Sequence, residues 1–371
     1  MTAAPPVAPF PVAGFARTAD RIGGVLHTAN DVLLLGGEAV LALEAAATSL
    51  AAPGRRVVNV VTSPYGAWFG AWLRRGGAAV TDVRPAEARH PIDAGDVAAA
   101  VRSTGAEIVA VVHGEAATGL VNPIERVARI AHDAGAIVVV DAVASVGAHP
   151  LDVDGGGGGL EQLDVVAIGP QKALDGPVSL SALAVSPAAW ALVAPPTPGA
   201  PSVLSLADLR RDWLDSGRGA LPGTPDPVAF RHLERALDAL DAEGLVARIA
   251  RHARAARATR DGIRAAGLEP WVVRDADASH LVTTVAVPEG INAAGSAPDR
   301  LLAEAAALDD GLSAGIGEHG ARFVRLNHTG PRADLAAVQA SLAALATALA
   351  RLGTPVDADA ALSAASAAFD D

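Results

Sequence analysis

The 371-residue chain has no cysteine, few aromatic residues and no apolar run long enough to cross a membrane. The absence of cysteine excludes disulfides and thiolate metal sites, which fits a cytoplasmic protein. No apolar run reaches the roughly 18 residues of a membrane span, and the charged start of a signal peptide is missing. Because aromatic residues make up only 3% of the chain and apolar residues 51%, the core must consist mainly of alanine, valine and leucine. The composition indicates a soluble α/β protein of enzyme size.

Lysine is almost absent as well, since Lys172 is the only one in a chain rich in arginine. The net charge of −12 argues against a nucleic-acid surface, because binding phosphates requires clustered basic residues. In this chain arginine serves wherever a surface charge is needed. A lone lysine therefore suggests a reaction that only an amine performs, such as attack on a carbonyl. The alternative is a surface lysine without a catalytic role.

Apolar strands and alanine-rich helices alternate from residue 31 to about residue 185. This βαβ rhythm predicts a mostly parallel sheet covered by helices, with ligands at the carboxyl ends of the strands. A long helical stretch then leads into a smaller C-terminal α/β unit. The predicted organisation is an irregular N-terminus (1–16), a large ligand-binding domain (17–240), a small C-terminal domain (241–352) and a loosely held tail (353–371).

Two groups with a shared chemistry follow buried strands of the predicted sheet. Asp141 comes directly after the apolar run Ile137–Val140, and Lys172 follows the run Val165–Ile168. A pyridoxal ring needs such a pair, because an amine forms a Schiff base with its aldehyde and a carboxylate keeps its ring nitrogen protonated. The alternative for Asp141 is a helix N-cap.

Tyr65 and Glu38 also lie in turns that follow predicted strands. Tyr65 is the only tyrosine and is placed to stack on a flat heterocycle; the alternative is a half-buried loop aromatic. Gly36-Gly37-Glu38 precedes a helix N-terminus, which is a natural anion site. At an effective dielectric near 20, the repulsion between Glu38 and a phosphate about 4 Å away would cost about 4 kcal/mol. Such a cost weakens phosphate binding roughly a thousandfold. Alternatively, Glu38 points away and favours the helix dipole.

Arg325 and several histidines complete the set of candidates. Arg325 lies on a predicted strand of the second unit and is able to bind a carboxylate through two hydrogen bonds, with a surface ion pair as the alternative. His113, His319 and His328 lack metal-ligand spacing. Among them, His113 is near enough to the strand ends to contact a ligand.

The resemblance to a known family is carried by two segments, VVHGEAATGLVNPIERVARIAHDAGAIVVVDAVASVGAHPLDVD and GPQKAL. Both resemble the class V aminotransferases of the alanine–glyoxylate and serine–pyruvate type, which are fold-type I, pyridoxal-phosphate enzymes and usually homodimers. The resemblance implies Lys172 as the Schiff-base lysine, Asp141 as the partner of the ring nitrogen and Tyr65 as the stacking aromatic. It also implies Arg325 as the carboxylate binder and Thr224 as a contributor from the neighbouring subunit. The other expected vitamin B6-binding residues are Glu38, Gly37, Ala39, His113, Val143 and Gln171.

The segment GGEAVLALEAAATSL departs from most of the family, which carries Ser-Gly-Ser/Thr-Gly at the first turn. It is similar instead to the pyridoxamine–pyruvate branch, in which the same glutamate is found and free pyridoxal or pyridoxamine is a substrate. Three further departures concern substrate binding. The N-terminal Gly-Pro segment of the family is missing or replaced, Ala116 and Ala117 replace hydroxyl residues, and Ile316 replaces a second arginine.

The sequence therefore predicts a transaminase that interconverts pyridoxamine and pyruvate with pyridoxal and L-alanine. One alternative is a conventional aminotransferase that retains pyridoxal 5′-phosphate, with Glu38 turned aside. Another is a non-catalytic B6-binding homologue, because the N-terminus is altered and the hydroxyl residues are lost. The expected partners are the vitamer, an amino acid or keto acid, and a second copy of the chain, without nucleic acid, membrane or metal.

Overall fold

A seven-stranded sheet forms the centre of the larger part of the chain. The computed structural model describes residues 8–370 except 157–161, 197–198, 289–290, 292–296 and 310. The strands follow the order β1-β7-β6-β5-β4-β2-β3. The pairings among β2 to β6 are parallel, whereas β7 runs antiparallel to β1 and β6. Their bounds are β1 Asp31–Gly36, β2 Arg56–Val60, β3 Ala79–Val83, β4 Ile108–Val112, β5 Ile137–Asp141, β6 Val165–Ile168 and β7 Leu180–Val185.

Helices pack against this sheet because the central strands are apolar on both faces. Every residue of β4, β5 and β6 is buried, which is typical of parallel strands covered on both sides. The helix that follows β4 along the chain buries Ile124, Val127, Ala128 and Ala131, the spacing of a helix with one apolar face. The predicted α/β architecture is confirmed. The helices of this part are α1 Val12–Val25, α2 Ala39–Leu50, α3 Pro64–Arg75, α4 Ala94–Thr104, α5 Ile124–Asp133, α6 Pro187–Trp190, α7 Leu206–Leu209 (continued by a π-helical turn, Arg210–Leu214) and α8 Pro227–Glu243.

The prediction of an irregular N-terminus is wrong for residues 12–16, because helix α1 begins at Val12. Phe15 lies in this helix, with its ring edge-on to Trp213 and 5.1 Å from the ring of Phe230. Phe10 stacks on Phe230 as well, at 4.8 Å. Burial of these rings stabilises the segment despite its prolines. Residues 1–7 lie outside the described part of the chain.

A three-stranded antiparallel sheet forms the centre of the second unit, in the order β8-β10-β9. Its core combines apolar side chains of the outer strand β8, the central strand β10 and the surrounding helices, for example Val285, Val324, Ala258 and Leu342. Among the described helices, none is long and apolar enough to cross a membrane. The elements are α9 Leu245–Ala265, β8 Val282–Ala286, α10 Ala297–Ala305, β9 Leu312–Ala314, β10 Phe323–Asn327, α11 Leu335–Arg351 and α12 Ala358–Asp370, with 3-10 turns at Asp275–Asp277, Gly320–Arg322 and Gly330–Arg332.

The prediction of a loosely held tail is wrong for the last helix, α12. Ala361 and Ala365 are buried against the core of the second unit. The Arg257 guanidinium of α9 donates a hydrogen bond from Nε to the carbonyl oxygen of Ala368 over 2.9 Å. Small side chains allow this close helix packing but give little hydrophobic periodicity, which is why the sequence pattern did not indicate it. The boundaries at residues 240 and 352 stay predictions.

Candidate active site

One pocket at the carboxyl ends of the parallel strands collects most of the predicted site residues. It lies where ligands are expected in an open α/β sheet. Five different strand ends contribute, since the segments that follow β1, β2, β4, β5 and β6 all reach it. The lining residues are Glu38, Ala39, Val40, Leu43, Tyr65, Val112, Gly114, Ala116, Asp141, Val143, Ala144 and Lys172.

Asp141 is the last residue of β5 and is buried. Its Oδ1 accepts a hydrogen bond from the backbone N–H of Val143 over 3.0 Å. Burial raises the pKa of Asp141 to about 6, although the Val143 N–H and the positive charge of Lys172 both oppose this rise. Asp141 is therefore a carboxylate at neutral pH and is ready to bind a cationic N–H group, which would lower its pKa again.

Lys172 lies in the turn after β6, half-buried and facing Asp141. Burial lowers the pKa of Lys172, and the nearby charge of Arg325 lowers it further, whereas Asp141 raises it. A lowered pKa increases the fraction of free amine near neutral pH. That is the form of lysine that attacks a carbonyl carbon.

Glu38 is the N-cap of helix α2, and both of its carboxylate oxygens are engaged. Oε2 accepts a hydrogen bond from the backbone N–H of Val40 over 2.8 Å, and Oε1 accepts one from Nε2 of Gln171 over 2.9 Å. Gly37 adopts a φ of 152°, and a Cβ there would lie 2.4 Å from Leu41 Cδ2, so this turn requires glycine. The Glu38 carboxylate thus occupies the anion-binding position of a helix N-terminus.

Tyr65 lines the pocket, whereas Arg325 lies beside it and is hydrogen-bonded to the lining residue Ala116. Tyr65 is the second residue of helix α3 and is half-buried, with its ring edge-on to Trp68 at 5.5 Å. Burial raises the pKa of Tyr65, and the charge of Arg325 lowers it. Arg325 belongs to β10, where its Nη1 donates to the carbonyl of Ala116 over 2.9 Å and its Nε to the carbonyl of Ala314 over 2.7 Å. These two bonds hold the guanidinium in place.

The structure does not bring His113 or Thr224 into this pocket. The ring of His113 lies 5.5 Å from that of His149, and both line a separate cavity. Burial lowers the pKa of His113 to about 4, so the imidazole is neutral. Thr224 is exposed in the loop before α8. Its contribution to a neighbouring subunit stays a prediction.

Sequence reasoning missed Glu115, which is completely buried in the turn after β4. Its carboxylate accepts a hydrogen bond from the hydroxyl of Thr62. Burial raises the pKa of Glu115 to about 7. The signal that would have found it is a charged residue three positions after a fully apolar strand, between two glycines (Gly114 and Gly119).

Comparison with known proteins gives consistent results over nearly the whole chain. The aminotransferase class-V family profile matches residues 14–347. The pyridoxamine–pyruvate transaminase of Mesorhizobium japonicum is 32% identical over 364 residues, which cover 96% of this chain and 88% of that protein. The crystal structure of pyridoxamine–pyruvate aminotransferase from Mesorhizobium loti superposes with a TM-score of 0.86 at 30% identity, covering 97% of this chain and 89% of that one.

A more distant structure supports the fold alone. Ureidoglycine–glyoxylate aminotransferase from Bacillus subtilis superposes with a TM-score of 0.83 at 23% identity, covering 97% of this chain and 90% of that one. The seven-stranded, mostly parallel sheet and the small C-terminal sheet correspond to the fold-type I arrangement. The chain belongs to the class V aminotransferases and has the α/β fold of fold-type I.

Proposed function

We propose that this aminotransferase interconverts pyridoxamine and pyruvate with pyridoxal and L-alanine, and that the unphosphorylated vitamer is its substrate. The observation that carries the proposal is the position of Glu38. Its carboxylate already accepts hydrogen bonds from the α2 N-terminus and from Gln171, donors that a phosphate would otherwise use. The similarity to two pyridoxamine–pyruvate enzymes supports the same conclusion.

The residues around the pocket fit the ring of a B6 vitamer. A buried carboxylate with a raised pKa, Asp141, suits a protonated ring nitrogen, and a half-buried amine, Lys172, suits an aldehyde. Tyr65 supplies a flat aromatic wall that covers one face of the ring. When bound, the vitamer supplies an electron sink for the bonds of the amino-acid carbon.

The chain itself supplies binding, orientation and proton movement. The amine of Lys172 would hold the vitamer through its aldehyde carbon with release of water, and once the amino group of the substrate has displaced it, Nζ would accept and return a proton as a general base. The Asp141 carboxylate holds a proton on the ring nitrogen and stabilises negative charge that develops in the reaction. The guanidinium of Arg325, held by two backbone carbonyls, binds the carboxylate of the keto acid or amino acid.

We further propose that the active enzyme is a homodimer and that Thr224 of the partner subunit completes the vitamer site. Thr224 is exposed and lies outside the Lys172 pocket of its own chain. A hydroxyl supplied across an interface would replace donors that the pocket lacks at Ala116 and Ala117. Sedimentation analysis tests the dimer: a monomer that turns over at full rate would contradict the shared site.

Titration of the apoprotein with pyridoxal and, separately, with pyridoxal 5′-phosphate tests the choice of vitamer. Binding is followed by the absorbance of the bound vitamer, and turnover by chromatography of pyridoxal and alanine after mixing pyridoxamine with pyruvate. We expect pyridoxal to bind more tightly and alanine to form. Tighter binding of the phosphorylated vitamer would identify a conventional aminotransferase. Binding without turnover of any amino acid would identify a B6-binding homologue.

A further inference from the structure

Glu115 is a buried carboxyl group with no role in the site described above. It is completely inaccessible to solvent, although it follows the fully apolar strand β4. The turn that carries it is closed by backbone hydrogen bonds of 2.8 Å between Glu115 and Leu120 and of 2.8 Å between Gly119 and Glu115. Burial of a carboxyl group is costly unless it is hydrogen-bonded. A fixed acidic group in a tight turn beside a catalytic pocket is therefore a candidate for a specific role.

On one side, the Glu115 carboxyl group reaches the segment that positions Tyr65. The hydroxyl of Thr62 donates a hydrogen bond to Glu115 and accepts one from Nδ2 of Asn122 over 2.9 Å. Ser63, the next residue, also lies beside Glu115 and lowers its pKa, and its hydroxyl caps α3 by accepting a hydrogen bond from the N–H of Tyr65 over 3.3 Å. Glu115 thus lies against the N-terminus of the helix that carries the aromatic wall.

On the other side, the same turn holds the guanidinium of Arg325. The residue after Glu115 is Ala116, whose carbonyl accepts the hydrogen bond from Arg325 Nη1 over 2.9 Å. Two residues later, the carbonyl of Thr118 accepts a hydrogen bond from Thr284 Oγ1 of β8 over 2.9 Å. The turn is therefore hydrogen-bonded to the central strand of the small sheet, β10, and to one outer strand, β8.

We propose that Glu115 is a positioning residue that ties the placement of Tyr65 to that of Arg325, and that gain or loss of its proton changes this link. The inference rests on the proposed functions of Tyr65 and Arg325 as ring wall and carboxylate binder. A carboxylate accepts hydrogen bonds only, whereas a protonated carboxyl group also donates one. Protonation at Oε2, which has no hydrogen-bond partner in the described part of the chain, therefore turns this atom into a donor beside the Ser63 hydroxyl and shifts the start of α3.

The surroundings of Glu115 set the pH at which its carboxylate takes up a proton. Burial and the negative charge of Asp141 raise the pKa of Glu115, the neighbouring hydroxyl groups of Ser63 and Thr62 lower it, and the net value is about 7. Tyr65 also faces Glu115, because the negative charge of Glu115 raises the pKa of Tyr65. Both protonation states of Glu115 are therefore populated near neutral pH.

Because Tyr65 is the only tyrosine, ring-labelled tyrosine gives a single NMR signal that reports on this link in the apoprotein. We expect this signal to titrate with a midpoint near pH 7 in the wild type. In Glu115→Gln, which keeps the shape and the hydrogen-bond acceptor, the transition should disappear. It should remain in Glu107→Gln, a glutamate at the opposite end of β4, and in Asp141→Asn. A transition that persists unchanged in Glu115→Gln, or its absence from the wild type, would overturn the proposal.

Thr62→Val provides a second variant that does not touch the glutamate. It removes a hydrogen bond that favours the carboxylate, so the midpoint of the Tyr65 signal should move to higher pH. In the holoenzyme, Glu115→Ala should weaken vitamer binding and raise the KM for pyruvate together, each by about fivefold to tenfold, and Glu115→Gln should restore both. An unshifted midpoint in Thr62→Val, or a change in only one of the two affinities, would contradict the link.

The NMR measurement separates this inference from the proposed function. If the Tyr65 signal follows Glu115 but neither vitamer binds, the proposed function fails and the link between the two residues stands. If pyridoxal binds and turns over while the Tyr65 signal is insensitive to Glu115, the positioning role alone fails.

Discussion

Gln171 donates a hydrogen bond from Nε2 to Oε1 of Glu38 over 2.9 Å, joining two residues that lie 133 positions apart in the chain. Gln171 directly precedes Lys172. The hydrogen bond therefore joins Glu38, in the turn after β1, to the residue next to the only lysine of the sequence. The same glutamate accepts the N–H of Val40 at the start of α2. The carboxylate of Glu38 is therefore fixed relative to the turn that carries Lys172.

Removal of the negative charge at residue 38 should improve binding of pyridoxal 5′-phosphate. In Glu38→Ser, the serine still caps α2, and the anion position is freed for a phosphate. Because Glu38 is exposed, solvent screening reduces the repulsion, and we expect a gain of about tenfold to a hundredfold. Absorbance titration measures it, with Glu44→Gln in the same helix as the control. Unchanged affinity in Glu38→Ser would mean that this carboxylate does not oppose phosphate binding.

Lys172 should be the single site of covalent attachment of the vitamer. Since the chain has no other lysine, borohydride reduction in the presence of pyridoxal should label one peptide, which mass spectrometry identifies. Lys172→Arg keeps the positive charge beside Asp141 but cannot form the bond, so labelling should vanish and kcat should fall at least about a thousandfold. Labelling that persists at the N-terminal amine of Lys172→Arg would show attachment elsewhere.

Asp141 should reduce the stability of the apoprotein at high pH. Its folded pKa of about 6 lies above the ordinary value of 3.8, so the folded state binds the proton more tightly than the unfolded state does. The penalty is complete above about pH 6 and is lost as the pH falls from 6 to 3.8. Such a shift corresponds to on the order of 3 kcal/mol in the free energy of unfolding.

Asp141→Asn tests this penalty by removing the charge while retaining the acceptor for Val143. We expect the variant apoprotein to be more stable than the wild type by about 1–3 kcal/mol at pH 8, with the difference shrinking towards pH 4. Urea unfolding at both pH values measures it. Vitamer binding should weaken in the same variant. A variant that is less stable than the wild type at pH 8 would contradict the raised pKa.

The residues whose position the sequence predicts are those for which the position follows from chain topology. Buried β-branched runs end at Asp141 and just before Lys172, and parallel strands place such ends at one edge of the sheet. Both residues line the same pocket. The contact between Glu38 and Gln171 was beyond sequence reasoning, because it depends on two turns that are distant in the chain.

Two other differences between the sequence-based predictions and the structure, at His113 and at helix α12, also have local causes. His113 follows β4 at the edge of the sheet where the pocket lies. Its backbone N–H donates to the carbonyl of Asp141 over 2.9 Å, but its ring packs against that of His149. The direction of a side chain after a strand is set by the turn, which a sequence pattern does not give. Helix α12 was missed because alanine and serine carry little periodic signal, although Ala365 is completely buried.

Arg325 should determine the affinity for the keto acid rather than that for the vitamer. Arg325→Gln removes the charge and the bidentate geometry that a carboxylate requires, so the KM for pyruvate should rise by about thirtyfold to a hundredfold, while the Kd of pyridoxal changes little. Steady-state kinetics and absorbance titration measure the two quantities. Arg322→Gln is the matched control, because Arg322 immediately precedes the same strand and stacks on Trp271 at 4.9 Å. An equal rise in KM in both variants would show that general positive charge, and not the guanidinium held by Ala116 and Ala314, binds the substrate.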